Sequence, residues 1–329
     1  MHARIYVMTA VIAFLIVLSV LILIHEAGHY LTARLFKVKA DEFGYGLPPR
    51  IIGFVKDEGK WKRVGPKDRK TYKNTIWSLN WLPIGGFVRI KGESGENVAD
   101  PDSFQSKPIW QRFIIIAAGV IMNWVLAAVL LGFGFMIGIP AMVDELPPGA
   151  NIKSREVTII DTLKGGAAAE AGIEPLDVIL KVGDKEVGTL GEVREAIFAT
   201  EGETPITIKR DDEVQVINVT PDYVEELGRS GIGIALADTG IVSYAPHRAV
   251  LNGIVLTGAY TKQVVLAFIN LFKDLLNGGG ETVDAVSGPV GIAVLTGRMA
   301  ERGILQLIQF TAVLSINLAV LNFLPIPAL

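Results

Sequence analysis

The sequence predicts an α-helical membrane protein that carries an α+β domain inserted between two of its membrane spans. Half of the 329 residues are hydrophobic, yet 20% are charged, and most charges lie in two long polar segments. Three uncharged stretches, at residues 5–24, 113–139 and 304–324, are long enough to cross a bilayer as helices. The formal net charge of −3 gives no indication of nucleic-acid binding. The absence of cysteine excludes disulfides and thiolate metal ligands.

The first uncharged stretch leads directly into the pentapeptide His25-Glu26-Ala27-Gly28-His29. On a helix the two histidines lie four residues apart on one face, so both imidazoles can reach one Zn²⁺ ion while Glu26 lies beside the open coordination position. Ionisable groups at membrane depth are costly, so we expect these three residues to be functional. The pattern predicts a zinc site with His25 and His29 as ligands and Glu26 as the catalytic base.

The distribution of charge predicts the orientation of the spans. Residues 34–112 contain 16 Lys and Arg against 9 Asp and Glu, whereas residues 140–303 contain 14 against 24. Because basic loops stay on the cytoplasmic side, the first loop is expected inside and the second outside. This orientation brings the HExxH pentapeptide close to the cytoplasmic face.

Residues 249–276 leave two alternatives open. They are mostly apolar but are interrupted by Lys262, Lys273 and Asp274, so a helix here can span the membrane or lie in its interface. We favour the interfacial, membrane-peripheral helix. That arrangement keeps the C-terminal end of the last span on the same side as His25 and His29.

The acidic second loop shows the pattern of a folded α+β module. Alternating residues predict strands at 157–160, 205–210 and 214–219, and a helix is expected at about 190–200. With the small residues that lead into Ala171-Gly172-Ile173, this order resembles a circularly permuted bacterial PDZ domain. Such domains bind an extended peptide at a sheet edge, often by its C-terminus. The candidate peptide-binding loop, for which a plain glycine turn is an equal alternative, comprises Gly231, Ile232, Gly233 and Ile234.

Further motifs accompany the HExxH pentapeptide along most of the chain. They include glycine- and proline-rich motifs in the first loop, a glycine–asparagine motif in the second span and a serine–glycine–proline motif ahead of the third. Together they resemble the site-2 protease family of intramembrane zinc metalloproteases, most closely the RseP-type bacterial members with extracytoplasmic PDZ domains. The resemblance rests on residues 25–29, 44–51, 81–88, 119–123, 287–292 and 317–329.

The resemblance implies where the other site residues lie. The family's third zinc ligand is an aspartate in an Asn-x-x-Pro-x-Pro-x-Leu-Asp-Gly context, and this chain stops at Leu329, one residue short. We therefore expect the third ligand just after Leu329, which makes the chain either a truncated fragment, with a fourth span also missing, or an inactive form. Substrate-binding roles are implied for Asn123, Asn317, Asn322, Pro325, Pro327, Gly85, Gly86 and Phe87.

These considerations predict six segments. They are a first transmembrane helix with HExxH (1–36), a cytoplasmic, membrane-associated β region (37–112), a second transmembrane helix (113–139), a PDZ domain (150–236), a membrane-peripheral helical region (237–303) and a third transmembrane helix (304–329).

Two functions follow as alternatives. The first is a zinc endopeptidase of the bacterial inner membrane that cleaves single-span membrane proteins, such as anti-sigma factors or signal-peptide remnants, while its PDZ domain filters substrates or binds protein C-termini. The second is a non-catalytic membrane scaffold whose PDZ domain binds peptides. Zn²⁺ is the expected cofactor of the enzyme, and the lipid bilayer is an expected partner of either.

Overall fold

The computed structural model describes residues 2–68, 70–96, 98–143, 146–163, 165–200, 202–210, 213–224, 229–276 and 288–323. The chain divides into two compact units. One unit comprises Met1–Phe133 together with Val250–Leu329, and the other comprises Gly134–Ala249.

The elements follow one another in this order along the chain. The first part contains α1 (His2–Leu35), β1 (Ala40–Asp57), β2 (Lys60–Val64), β3 (Ile76–Ile90) and α2 (Ile109–Ile137). The middle part contains β4 (Ile139–Met142), β5 (Asn151–Thr162), α3 (Ala167–Glu170), β6 (Val178–Val182), β7 (Lys185–Glu186), α4 (Leu190–Phe198), β8 (Thr204–Arg210), β9 (Glu213–Val219), β10 (Asp222–Val224), β11 (Arg229–Gly231) and β12 (Ile234–Ser243). The last part contains α5 (Pro246–Leu276), α6 (Pro289–Arg302) and α7 (Ile304–Phe323).

Within the described residues, four helices are long and apolar enough to cross a membrane. They are α1 from Val7 onward, α2, α5 and α7. Helix α5, which the sequence left as either a span or an interfacial helix, is thus long and apolar enough to cross a membrane. Helix α2 ends at Gly138, whose φ of +113° is readily adopted only by glycine.

Helix α5 lies alongside α2, which differs from the interfacial helix that we favoured. The Nε1 of Trp124 donates to Thr261 Oγ1 at 3.2 Å. Farther along α2, a Cβ on Gly253 would stand 2.6 Å from the backbone nitrogen of Gly132. Residue numbers thus fall along α5 as they rise along α2, so the helices are antiparallel. Hydropathy alone allows a span over α5; we favoured the interface because it keeps the C-terminal end of the last span on the side of His25 and His29.

Helices α2, α5 and α7 share one apolar contact region. Its buried members lie on α2 and α7, and α5 contributes partly buried side chains that pack against them. The buried residues are Ala127, Leu131, Ala312, Ile316 and Val320, and the α5 residues are Leu256, Tyr260, Val264 and Phe268. Helix α6 packs against α1 and α7.

Strands β1, β2 and β3 form an antiparallel sheet in the order β2-β1-β3, so β3 is an edge strand. Pairing between β1 and β3 is irregular, with several register shifts. Such irregularities bend and twist a sheet. Many large apolar side chains of this sheet are exposed, namely Leu47, Ile51, Trp77, Leu79, Trp81 and Leu82.

The second unit is built on a seven-stranded sheet with the order β4-β12-β5-β6-β8-β9, in which β7 pairs with β6. Helix α4 begins with a capping box formed by Thr189 and Glu192. The unit extends beyond the expected limits of 150–236, because β4 precedes them and β12 continues past them. Its buried core consists of Val157, Ile159, Ala168, Ile173, Ile179, Val182, Val193, Ala196, Ile197, Ile206, Ile208, Val219 and Ile232.

Candidate metal centre

Helix α1 carries the three HExxH side chains. Because a helix completes a turn in 3.6 residues, His25 and His29 lie on one face. Their ring centroids are 4.8 Å apart, and the ring planes meet at 76°. Both imidazoles are half-buried. The two rings are therefore close enough for their nitrogens to share a metal ion.

Helix α2 contacts both histidines through one face, at positions separated by four residues. The Nδ1 of His29 lies 2.7 Å from the carbonyl oxygen of Ile115. A carbonyl oxygen only accepts hydrogen bonds, so Nδ1 of His29 carries the proton and Nε2 presents its lone pair. The Nδ1 of His25 lies 3.3 Å from the side-chain amide of Asn123. Each Nδ1 thus faces α2.

Gly119 lies between these two contacts and leaves a space at which both rings point. A Cβ on Gly119 would stand 2.5 Å from Nε2 of His25 and 2.5 Å from Nε2 of His29. Both rings therefore pack against Gly119 with their Nε2 atoms close to each other, as the binding of one zinc ion by two histidines requires. Gly28 permits this geometry, because a Cβ there would overlap the backbone carbonyl of Ala118.

The third ligand is not among the described residues, which contain no group of three or more His, Cys, Asp or Glu side chains suited to a metal. Helix α7 nevertheless reaches the site, since Ser315 Oγ donates to the Asn123 carbonyl at 2.8 Å. Farther along α7, the Asn317 amide donates to the carbonyl of Val313 at 3.1 Å, and Asn322 is exposed. The positions Pro325 and Pro327 lie outside the described residues.

Strand β3 contacts α1 beside the HExxH residues. The backbone N–H of Val88 donates to Oε2 of Glu26 at 3.0 Å. This close approach depends on two glycines, because a Cβ on Gly85 would stand 2.6 Å from Ile22 and one on Gly86 would stand 3.1 Å from Leu23. The catalytic candidate Glu26 is thus held by the edge strand that contains the predicted substrate-binding residues Gly85, Gly86 and Phe87.

The same sheet contains a buried ion pair. Arg50 donates to both carboxylate oxygens of Glu42, at 2.8 and 2.5 Å, and Glu42 is 2% exposed. Burial opposes ionisation of Glu42, but hydrogen bonds from Arg50 and Ser78 and the charges of Arg50 and Arg89 hold the pKa of Glu42 below its ordinary value. At neutral pH this ion pair joins two positions of β1 that are eight residues apart.

The candidate peptide-binding residues 231–234 lead into β12. Gly233 has a φ of +72°, and its carbonyl accepts a hydrogen bond from Leu163 N–H at 2.8 Å. The Ile232 side chain is buried in the core of the unit. Strand β4 pairs with residues 239–242 of β12, so among the described residues the part of β12 from Ile234 to Ala237 has a strand partner on one side only, which is β5.

Sequence reasoning missed three features of the site. The Ile115 carbonyl and the Val88 N–H belong to the backbone, so their residue types give no signal. Gly119 was noted as part of a motif, but its role as the space between the imidazoles depends on how α1 and α2 cross. The four-residue spacing of Ile115, Gly119 and Asn123 was the available signal, since it defines one helix face.

Comparison with known proteins defines the class of this site. The model of the family described as Peptidase family M50 matches residues 13–329. The chain therefore belongs to peptidase family M50, the site-2 protease family, as its motifs indicated. It is a zinc metalloprotease, which favours the enzyme over the scaffold alternative. With its apolar helices, it is a multi-pass membrane protein.

Several curated relatives match nearly all of the chain. The regulator of sigma-W protease RasP from Bacillus subtilis is 29% identical, over 97% of this chain and 87% of RasP. Proteins described as candidate zinc metalloproteases from Nostoc sp. and Fusobacterium nucleatum are 32% and 31% identical. These alignments cover 97% and 98% of this chain and 83% and 85% of the relatives.

One solved structure, the PDZ domain of an SdrC-like protein from Listeria monocytogenes, aligns with 26% of this chain and 92% of its own length. The identity is 18% and the TM-score is 0.24. A score this low does not decide a fold, so the PDZ assignment of the second unit stays a prediction.

Proposed function

We propose that this metalloprotease cleaves single-span membrane proteins at peptide bonds within or near the bilayer, with His25 and His29 as zinc ligands and Glu26 as the catalytic base. The observation that carries the proposal is the convergence of two imidazole Nε2 atoms on the space left by Gly119. This convergence occurs on a helix long and apolar enough to span a membrane. An active site in such a helix is reached by substrates that share the bilayer.

The roles of the chain's own groups follow from their contacts. Held by His25 and His29, zinc would supply Lewis-acid chemistry for the scissile carbonyl and for an attacking water molecule. Glu26 accepts the proton of that water and returns it to the leaving amine. Because Val88 N–H already bonds to Oε2, Oε1 of Glu26 is the oxygen left to take the proton.

Strand β3 is proposed as the surface that receives the substrate. A substrate helix must unwind before its amide bonds are accessible, and an extended segment can pair with a sheet edge. Strand β3 is an edge strand and contacts Glu26 through Val88. Gly85, Gly86 and Phe87 would then lie beside the unwound segment. Asn317, Asn322, Pro325 and Pro327 are proposed to hold it from the side of α7.

The proposed substrates are anti-sigma factors or signal-peptide remnants. The relative from Bacillus subtilis is named a regulator of sigma-W protease, which supports the first class. The second unit is proposed to be a PDZ domain that filters substrates by size or binds their C-termini, with residues 231–234 at its binding edge. The exposed apolar side chains of the β1–β3 sheet, such as Trp81 and Leu82, suit contact with the bilayer.

The proposed location is the bacterial inner membrane, with the second unit outside and the zinc site near the cytoplasmic face. Because the chain has no cysteine, single cysteines at exposed positions report sidedness without interference. Cysteine at Lys67 should react only from the cytoplasm and cysteine at Asp184 only from outside. Cysteine at Leu276 should react from the cytoplasm if α5 crosses the membrane beside α2. Reaction from outside would show that α5 lies in the membrane interface.

The decisive experiment compares Glu26→Gln with the histidine variants. Glutamine keeps the size and hydrogen bonding of Glu26 but cannot act as a base, so cleavage of a single-span substrate with a short ectodomain should fall roughly 10²- to 10⁴-fold while zinc binding persists. His25→Ala and His29→Ala should bind zinc far more weakly and should lose cleavage with it. Undiminished cleavage by zinc-loaded Glu26→Gln would refute the assigned role.

A further inference from the structure

Asn123 is completely buried on α2, and its side-chain amide faces the imidazole of His25. The amide nitrogen lies 3.3 Å from His25 Nδ1. The amide oxygen is buried and has no hydrogen-bond partner among the described residues. A buried oxygen left without a donor costs about 1–3 kcal/mol. Hydrogen-bond satisfaction of the amide oxygen thus depends on which amide atom faces His25.

A half-turn of the amide about its Cβ–Cγ bond exchanges the oxygen and the nitrogen. Oδ1 of Asn123 then accepts a hydrogen bond from Nδ1–H of His25, and the amide nitrogen takes the buried position that Oδ1 held. With its proton on Nδ1, His25 presents the Nε2 lone pair to the point that it shares with His29. In the other orientation the amide donates to Nδ1, which leaves the ring proton on Nε2 and blocks metal binding.

The hydrogen bond of His29 supports the orientation in which Asn123 accepts from His25. Its Nδ1 donates to the Ile115 carbonyl, so the ring already has the tautomer that a metal requires at Nε2. Asn123 lies eight residues beyond Ile115 on the same helix and faces the other histidine. The backbone of Asn123 is held by α7, because Ser315 Oγ donates to the Asn123 carbonyl at 2.8 Å.

We infer that Asn123 is a positioning residue that holds His25 in the zinc-binding tautomer through Oδ1, a role distinct from the substrate contact that the family resemblance implied. The inference rests on the proposed assignment of His25 and His29 as zinc ligands. Partners of this kind typically change metal affinity 10- to 100-fold when removed. Because both imidazoles remain in the Asn123 variants, loss of the amide should weaken zinc binding without abolishing it.

The test measures zinc affinity and histidine tautomer in the full chain. Zinc dissociation constants are determined by competition with a chelating dye for the parent, Asn123→Leu, Asn123→Asp and His25→Ala. Asn270→Leu is the matched control, because Asn270 is an exposed asparagine on α5. In parallel, ¹⁵N spectra of histidine-labelled, zinc-free protein report which ring nitrogen of His25 carries the proton. The chain has only four histidines, and His25→Ala assigns the signal.

Asn123→Leu should weaken zinc binding about tenfold or more and mix the His25 tautomers, whereas Asn123→Asp, which still accepts from Nδ1–H, and Asn270→Leu should stay near the parent. The inference is overturned if the parent His25 carries its proton on Nε2, if leucine leaves the zinc affinity unchanged, or if aspartate is as damaging as leucine. If the variants change the KM for substrate but not the zinc affinity, Asn123 binds substrate and does not position His25. If His25→Ala keeps the parental affinity, the zinc-ligand assignment itself fails.

Discussion

Helix α2 makes two very close helix crossings that differ in what surrounds them. At the crossing with α1, Gly28 contacts the backbone at Ala118. At the crossing with α5, Gly253 contacts the backbone at Gly132, where a Cβ would stand 2.6 Å from the nitrogen. Both crossings use glycine to let two helix backbones meet, which is common in membrane proteins. Only the first has the residues of a metal site beside it.

The difference lies in the polar groups that each crossing leaves without a partner. Beside the α5 crossing, the indole N–H of Trp124 is satisfied by Thr261, whose hydroxyl in turn bonds to its own helix. Beside the α1 crossing, the Nε2 atoms of His25 and His29 lie close together against Gly119. Close packing alone therefore does not make a site; the first crossing also brings two imidazole nitrogens together.

The largest expected effect comes from filling the space above Gly119. In Gly119→Ala the methyl group would stand 2.5 Å from both Nε2 atoms, so the rings must move apart. We expect zinc affinity to fall more than about 100-fold, beyond the usual effect of an outer partner. Gly258→Ala on α5 is the control, since a Cβ there meets nothing within 4 Å. Parental zinc affinity in Gly119→Ala would show that the metal lies elsewhere.

A smaller effect separates the two crossings. Gly28→Ala and Gly253→Ala each place a methyl group against backbone, so each should lower the free energy of unfolding by about 1–3 kcal/mol. Only Gly28→Ala should also weaken zinc binding, because it moves α1 against α2. Unfolding in mixed detergent micelles with and without zinc measures both quantities. Equal zinc affinities in the two variants would contradict the distinction between the crossings.

The smallest effect is expected at the hydrogen bond beside the α5 crossing. Trp124→Phe removes the indole donor to Thr261 and should cost about 0.5–1 kcal/mol of stability. Zinc affinity and cleavage should not change, since Trp124 points toward α5 whereas the neighbouring Asn123 faces His25. A loss of zinc in Trp124→Phe would mean that the two crossings are coupled through α2.

Local features of the chain could be predicted from its sequence. The HExxH spacing predicted two imidazoles on one helix face, and the structure has them 4.8 Å apart. The helix expected at 190–200 is α4, and the strands expected at 205–210 and 214–219 are β8 and β9. These features depend on periodicity and turn chemistry within a few residues. The family and its zinc chemistry were likewise predicted from motifs and are confirmed by the family match.

Features that depend on contacts between distant residues could not be predicted in this way. Gly28 and Ala118 are ninety positions apart, and a single sequence does not tell which helix faces meet. The same limit applies to α5, because hydropathy alone allowed both a span and an interfacial helix and did not show that one face of α5 packs on α2. Backbone partners such as Ile115 O and Val88 N–H have no residue signature at all.

The central claim is that zinc is held by His25 and His29 in the space between α1 and α2. X-ray absorption at the zinc edge tests it most directly, because imidazole ligands give a characteristic scattering pattern that can be counted. Protein loaded with substoichiometric zinc should show two imidazoles with nitrogen at about 2.0–2.1 Å and oxygen in the remaining positions. The pattern should fall to one imidazole in His29→Ala at saturating zinc. A parental spectrum with no imidazole, or one unchanged in His29→Ala, would contradict the account.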